Sequence, residues 1–164
     1  MISDEYKAVL RTTHAENEGW GSGALRRLDG VLELNPINVL DYGCGKGVLG
    51  AALRERGIPC TDYDPGMPQF EARPVGPFDL VTCFDVMEHV EEQHVHSVLK
   101  DIGKLGARCR MSIGLTPAVK ILSDGRNAHI TLQPGMWWLE RIALAARPVQ
   151  RVYRASERHL EVFF

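Results

Sequence analysis

The sequence predicts an α/β fold: a doubly wound, mainly parallel sheet of about six strands, with an antiparallel hairpin at its C-terminal edge. Three observations carry that expectation. Short apolar runs at 37–42, 58–64, 78–85 and 107–115 alternate with segments whose apolar residues recur at helical spacing. The first run leads into "DYGCGKG" at 41–47, a turn with glycines at alternate positions. Two β-rich runs, "VQRVYRA" and "HLEVFF", follow at 149–155 and 159–164, separated by a tight turn at Ser156 and Glu157.

The elements follow in order. Residues 4–16 read as a short polar helix, broken by the glycines of "EGWGSG" around Trp20. Leu25, Leu28, Val31 and Leu32 in "ALRRLDGVLEL" have helical spacing, and Pro36 stops that helix before the strand "INVLDY". "VLGAALRERG" is apolar on one face and closes at Gly57. The strand "IPCTDYD" ends in acids, and Pro65, Pro68, Pro74 and Pro77 make the next stretch a loop. "FDLVTCFD" is the third strand and "VMEHVEEQHVHSVLKDIGKL", 86–105, the helix after it. "ARCRMSIGL" is the fourth strand, followed by the irregular 116–135 and the helix "MWWLERIALAA".

A length of 164 residues with 45% hydrophobic and 24% charged content predicts one globular domain over 1–164, with 1–35 forming an N-terminal helical lid region in which His14 and Trp20 would cover the site. The acidic start lacks a signal-peptide core, and no apolar run reaches membrane length, so the expectation is a soluble, cytoplasmic protein without a membrane partner. Cys44, Cys60, Cys83 and Cys109 form no C-x-x-C pair, which argues against a zinc knuckle or a disulfide framework. Charge is uneven: residues 1–100 hold 9 Lys+Arg against 16 Asp+Glu, and residues 101–164 hold 10 against 5, −7 and +5. That excess is either a solvated surface or a basic face toward an anionic substrate.

The glycine turn admits three readings. A phosphate-binding P-loop fails, because Lys46 is followed by Gly47 rather than Ser or Thr. A dinucleotide G-x-G-x-x-G drawn on Gly45, Gly47 and Gly50 starts too late for the strand-to-helix turn. The third reading takes Asp41-x-Gly43-x-Gly45-x-Gly47 as one unit. Alternate glycines let backbone pass close beneath a ligand, the helix start favours an anion, and the carboxylate suits an ammonium group.

This turn resembles the first motif of the class I S-adenosylmethionine-dependent methyltransferases, whose fold is Rossmann-like. "TDYDPGM" is similar to their second motif, and "FDLVTCFDVMEHV" to their fourth strand and following helix. The resemblance implies S-adenosylmethionine as cofactor, with Asp41 at its amino end and Gly43, Gly45 and Gly47 beneath it. Asp64, or alternatively Asp62, would take the ribose hydroxyls, and Phe84 with Asp85 would border the sulfonium. The family's usual strand between the second and fourth motifs has no counterpart here, so a trimmed sheet and an open adenine pocket are expected.

For the acceptor, the fourth strand lacks both the [DNS]-P-P-[YF] motif of amino-methylating enzymes and a Pro-Cys nucleophile, and the chain leaves no room for a domain reading duplex DNA. Asp85-x-x-Glu88-His89 and the distant His129 are similar to the metal site of small-RNA 2′-O-methyltransferases and ubiquinone-pathway O-methyltransferases. That likeness implies Asp85, Glu88, His89 and His129 around a divalent metal such as Mg or Mn. The same residues also read as a capping box on a helix, in which case His129, or His89 beside Glu88, serves as general base. Trp137 or Trp138 would wall the acceptor pocket, and "SDGRNAH" resembles a segment of small phage and bacterial methyltransferases, which implies Arg126 and Asn127 at the acceptor. The expected reaction is O-methylation of a small-molecule, saccharide-type or polymer-borne acceptor. The alternatives are a 2′-O-methyltransferase of RNA or nucleotides, using Arg108, Arg110, Arg126 and the arginines after 141, and a non-catalytic partner subunit retaining the cofactor fold.

Overall fold

The computed structural model describes residues 4–16, 22–122 and 124–164. Six strands form one sheet: β1 (Val39–Tyr42), β2 (Cys60–Tyr63), β3 (Phe78–Phe84), β4 (Gly106–Gly114), β5 (Arg151–Ala155) and β6 (His159–Phe163). Their order is β2-β1-β3-β4-β6-β5. The first four strands in that order run parallel, while β6 lies antiparallel beside β4 and β5 antiparallel beside β6. Every strand expected from the apolar runs is present. β2 is the sheet edge, and the proline-rich stretch 65–77 adds only a 3-10 turn at Pro68–Phe70, so the trimmed sheet is as expected.

Alternation along the strands divides the core between two faces. On one face Val39, Leu80 and Phe84 pack with Leu28 and Val31 of α2 (Leu28–Leu32) and with Leu49 and Leu53 of α3 (Val48–Glu55). On the other, Val81, Cys83, Met111 and Ile113 pack with Leu99 and Ile102 of α4 (Glu92–Leu105) and Trp138 and Ile142 of α5 (Gly135–Ala145). A third cluster joins Tyr6 of α1 (Asp4–Glu16) to Leu122 and Ala128, tying the N-terminal helix to the long loop after β4. Among the described residues, no helix is long and apolar enough to cross a membrane.

Two expected helices are interrupted. The 24–34 helix opens instead as a 3-10 turn, Ser22–Arg27, before α2. The 86–105 helix splits into a 3-10 turn at Met87–His89 and α4 from Glu92. The second break has a visible cause: the Glu88 carbonyl accepts from Thr131 N–H at 3.0 Å, and the Val90 carbonyl from the Thr131 hydroxyl at 2.6 Å. Main-chain acceptors that a helix would use internally are spent on the loop after β4.

The chain leaves β1 toward β2 on one side and returns to β3 on the other. The sheet thus has a topological switch point at the carboxyl ends of β1 and β3, the place where open α/β sheets hold ligands. Asp41 sits there, in register with Asp62 on β2 and Thr82 on β3.

Candidate active site

The glycines of the opening turn occupy backbone conformations that other residues rarely adopt. Gly43, Gly45 and Gly47 have φ of 77°, 53° and 72°. A Cβ on Gly43 would also lie 2.4 Å from Val86 Cγ2. The turn is stitched to the end of β2: Gly43 and Cys44 N–H donate to the Tyr63 carbonyl at 2.7 and 3.1 Å. Asp64 accepts from Gly45 N–H at 2.9 Å and from Gly66 N–H at 2.8 Å.

Above this turn lies a cavity of roughly 420 Å³, lined among others by Asp41, Gly43, Gly45, Asp64, Phe84, Asp85, His89 and His129. Gly23 and Ala24 from the N-terminal region and Ala118 and Ala128 from the loop after β4 border it. Trp20 falls outside the described residues, and His14 lies on α1. Asp41 is 3% exposed and accepts from the Thr82 hydroxyl at 2.8 Å. Burial first, with Asp62 and Asp64 nearby, pushes its carboxyl up to about 7 against the pull of Thr82. Among the described residues this buried carboxylate has the Thr82 hydroxyl as its side-chain donor and no ion pair.

The two β2 acids part company. Asp64 lines the cavity. Asp62 turns onto α3, where it pairs with Arg54 at 2.8 Å and would touch any Cβ placed on Gly50. Its Oδ1 is buried without a protein hydrogen-bond partner among the described residues.

Asp85 closes the cleft at the end of β3. It stands at φ 55°, and its carboxylate accepts from the Ser112 hydroxyl at 2.8 Å and from both terminal nitrogens of Arg27 at 3.1 and 3.2 Å. The capping box is therefore not formed. Glu88 reaches across to β4 instead, where its Oε1 accepts from Gly114 N–H at 2.7 Å.

Glu88 Oε2 is buried with no partner among the described residues. Burial first, then Asp85, lifts this carboxyl to about 8, against the pull of its own and the Gly114 N–H. One donor atom from each of Glu88, His89 and His129 lies within 4.8 Å of the others. Asp85 does not belong to this set, a correction to the expected four-residue group: its oxygens are held by Arg27 and Ser112. His89 Nδ1 lies 2.7 Å from the Ala128 carbonyl and His129 Nδ1 2.6 Å from the Thr116 carbonyl. A carbonyl only accepts, so each neutral ring carries its hydrogen on Nδ1 and its lone pair on Nε2. Carbonyls fix metal-ligating imidazoles in this same manner.

A second cavity, about 550 Å³, meets the first at Asp85 and His129. Arg26, Arg27, Arg154, Arg158, His159 and Glu161 line it together with Glu88. Sequence reasoning did not single out Arg26, Arg27 or His159, whereas Arg154 and Arg158 are among the arginines after 141 that it named. Three others it named are tied in ion pairs: Arg108 with Asp79 at 2.8 Å, Arg126 with Asp124 at 2.6 Å and Arg110 with Glu161 at 2.7 Å. Asn127 braces its own loop, bonding both main-chain groups of Ala118. Trp138 is fully buried in the core and Trp137 packs against that core, so neither lines either cavity.

Residues 17–150 match the methyltransferase-domain family. The chain belongs to the class I methyltransferases. The ubiquinone biosynthesis O-methyltransferase of Paracidovorax citrulli (strain AAC00-1) is 30% identical over 90 residues, 40% of this chain and 38% of that protein. The same-named protein of Sodalis glossinidius (strain morsitans) is 32% identical over 95 residues, with the same coverage of 40% and 38%. The match thus spans well under half the length of these relatives. Among solved structures, Burkholderia thailandensis 1,6-didemethyltoxoflavin-N1-methyltransferase, with its substrate and S-adenosylhomocysteine bound, superposes with a TM-score of 0.71 at 18% identity, over 97% of this chain and 88% of that one. In this methyltransferase, the glycine turn, Asp41 and Asp64 form one wall of the cleft, and Glu88, His89 and His129 stand where it opens into the second cavity.

Proposed function

We propose that the protein transfers a methyl group from S-adenosylmethionine to a hydroxyl oxygen of a small or saccharide-type acceptor. The observation that carries the oxygen specificity is the convergence of Glu88, His89 and His129 at the junction of the two cavities. The partial match to ubiquinone biosynthesis O-methyltransferases supports the same reading.

In this reading S-adenosylmethionine supplies an electrophilic methyl group whose sulfonium is already activated. Asp41 holds the amino end, the backbone of Gly43, Gly45 and Gly47 lies beneath the cofactor, and Asp64, the acid after β2 that lines the cavity, serves the ribose. Phe84 and Asp85 border the reacting centre. His129 Nε2 takes the acceptor's hydroxyl proton, with His89 and Glu88 beside it, and the two cavities set the approach of acceptor oxygen to methyl carbon. Alignment of this kind converts the displacement into an effectively unimolecular step.

The Glu88, His89, His129 set also fits a divalent cation, because Glu88 Oε2 is a buried acceptor without a protein donor and both rings direct Nδ1–H at carbonyls. Two imidazoles and one carboxylate suit Mn²⁺ better than the strictly oxygen-seeking Mg²⁺. Such a cation would lower the pKa of a hydroxyl brought to it.

Calorimetric titration with S-adenosylmethionine and S-adenosylhomocysteine, with and without Mn²⁺ or Mg²⁺, tests the reading. Micromolar binding is expected, and His129→Ala retains that affinity within about twofold while losing methyl transfer by about 10²–10⁴. Absence of cofactor binding defeats the methyltransferase reading, and full activity in His129→Ala defeats the role of His129.

A further inference from the structure

We propose that the arginine-lined second cavity is an oxyanion subsite, and that the methyl acceptor is a small molecule whose phosphate or carboxylate group is held there. The inference rests on the methyltransferase reading above and adds the chemical class of its acceptor.

Charge bookkeeping within the cavity is the first support. Arg27 is engaged by Asp85 at 3.1 Å, and Glu161 by Arg110 at 2.7 Å. Arg26, Arg154 and Arg158 line the same space and make no ion pair among the described residues. Three guanidinium groups thus border the cavity with no ion pair of their own, beside Asp85 and Glu161, which Arg27 and Arg110 hold, and Glu88, whose Oε1 accepts from Gly114 N–H. The planar guanidinium forks match phosphate and carboxylate oxygens two at a time. His159 adds a donor: its Nε2 lies 3.1 Å from Arg27 Nη2. A guanidinium only donates, so that nitrogen accepts and the ring's hydrogen is on Nδ1.

Position is the second support. The arginine cavity and the cofactor cavity share Asp85 and His129. A molecule anchored by its anionic end on Arg154 and Arg158 would present its other end at His129, where the proton has to leave. The subsite draws on the C-terminal end of the chain. Arg154, Arg158 and His159 belong to the C-terminal hairpin, beyond the residues 17–150 that match the family.

Cavity size and the engagement of Arg108, Arg126 and Arg147 elsewhere argue for a small acceptor over a nucleic-acid strand. Arg108 and Arg126 are tied to Asp79 and Asp124, and Arg147 donates to the main-chain carbonyls of Gly103 and Gly106. The three arginines border one space of about 550 Å³, which suits a single anionic group better than the track that a strand of phosphates requires.

The full chain is titrated at fixed ionic strength with inorganic phosphate and with malonate, alongside S-adenosylhomocysteine, in the wild type and in Arg154→Ala/Arg158→Ala. Both arginines are exposed, and retained S-adenosylhomocysteine affinity reports an intact fold. One of the two anions is expected to bind, phosphate preference marking a phosphorylated acceptor and malonate preference a carboxylated one. The double substitution is expected to weaken that binding at least tenfold while S-adenosylhomocysteine affinity stays within twofold. Absence of binding by either anion, or equal binding by wild type and variant, overturns the subsite. A single-stranded RNA of roughly ten nucleotides that binds a hundredfold tighter than phosphate overturns the small-acceptor class. Failure of the wild type to bind S-adenosylhomocysteine is a different result, and it strikes the methyltransferase reading itself.

Discussion

Replacing Asp41 with Asn separates the stability of the protein from the binding of its cofactor. The Asp41 carboxyl is raised from 3.8 to about 7 in the fold, chiefly by burial. A displacement of about 3 units corresponds to about 4 kcal/mol, an upper bound on what ionising this group costs the empty fold. The folded state holds its proton more tightly than the unfolded chain. Stability contributed at this site is therefore complete below about 4, declines as pH rises, and is fully lost above about 7. Asn keeps the acceptor for the Thr82 hydroxyl and removes the charge, though its amide hydrogens find no established acceptor, which offsets part of the gain. The net expectation at pH 8 is stabilisation of about 1–3 kcal/mol, shrinking toward zero or below at pH 5. Urea unfolding of the unliganded wild type and variant at both values measures it. Cofactor affinity moves the opposite way. Loss of a charge-assisted contact to an ammonium is worth about 1.5–3 kcal/mol, or about 10- to 150-fold in Kd for S-adenosylhomocysteine. Wild-type affinity should fall by up to about tenfold per unit as pH drops below 7. A variant that is less stable at pH 8 and binds S-adenosylhomocysteine normally refutes the assignment of Asp41 as a cation-receiving carboxylate.

Three further outcomes follow from the same geometry. Glu88→Gln is expected to abolish Mn²⁺ binding followed by electron paramagnetic resonance while retaining S-adenosylhomocysteine affinity; unchanged Mn²⁺ binding removes Glu88 from the donor set. Gly43→Ala and Gly57→Ala both place a side chain at positive φ, 77° and 78°, but only the former meets a neighbour, Val86 at 2.4 Å. Gly43→Ala should therefore cost about 1–3 kcal/mol more in urea unfolding, and equal losses would show that the close approach to Val86 does not matter. The His159 ring is held below its ordinary pKa by burial first and by Arg27 and Arg154, against Asp85 and Glu161. Arg154→Ala should raise it in an NMR titration, and a fall would place Arg154 away from the ring.

How much of this was readable in advance depended on how local the deciding interaction is. All six strands lie where the sequence places them: β1 and β3, buried almost throughout, write themselves as short apolar runs, whereas the exposed β5 is marked by β-formers and the turn after it. Asp41, Gly43, Gly45 and Gly47 were equally legible, since the positive φ of each glycine is a property of its own position. Glu88 was ambiguous in sequence because the capping box competes with any distant use of that carboxylate. The bond that decides it runs to Gly114, 26 residues away, and the pairing of Glu88 with Thr131 then ends the helix early. Asp62 and Asp64 remained alternatives for a related reason: β2 ends at Tyr63, and Asp64 follows in a turn whose course is set by its own N–H donating to the Phe70 carbonyl at 3.0 Å. The arginine cavity left only the excess of positive charge after residue 100 as a trace. Arg26 and Arg158 meet because β6 inserts antiparallel beside β4, and no local pattern records that pairing.

The two ends of the sheet thus hold different parts of the chemistry. The switch point at β1 and β3 carries Asp41 and the glycine turn, while the β5–β6 hairpin supplies Arg154, Arg158 and His159. Between them stands His129, on the loop after β4, braced by the Asn127 side chain and the Thr116 carbonyl. That loop is in turn held by α1 through Tyr6, Leu122 and Ala128. Since Arg154 and Arg158 line the second cavity and not the cofactor cavity, exchanging them is expected to change the preference among acceptors while cofactor affinity stays the same. Loosening α1 acts at the junction instead. Loss of the Tyr6 contact frees the loop that positions His129 and lowers turnover with every acceptor alike, so the two classes of substitution are told apart by whether kcat falls for one acceptor or for all.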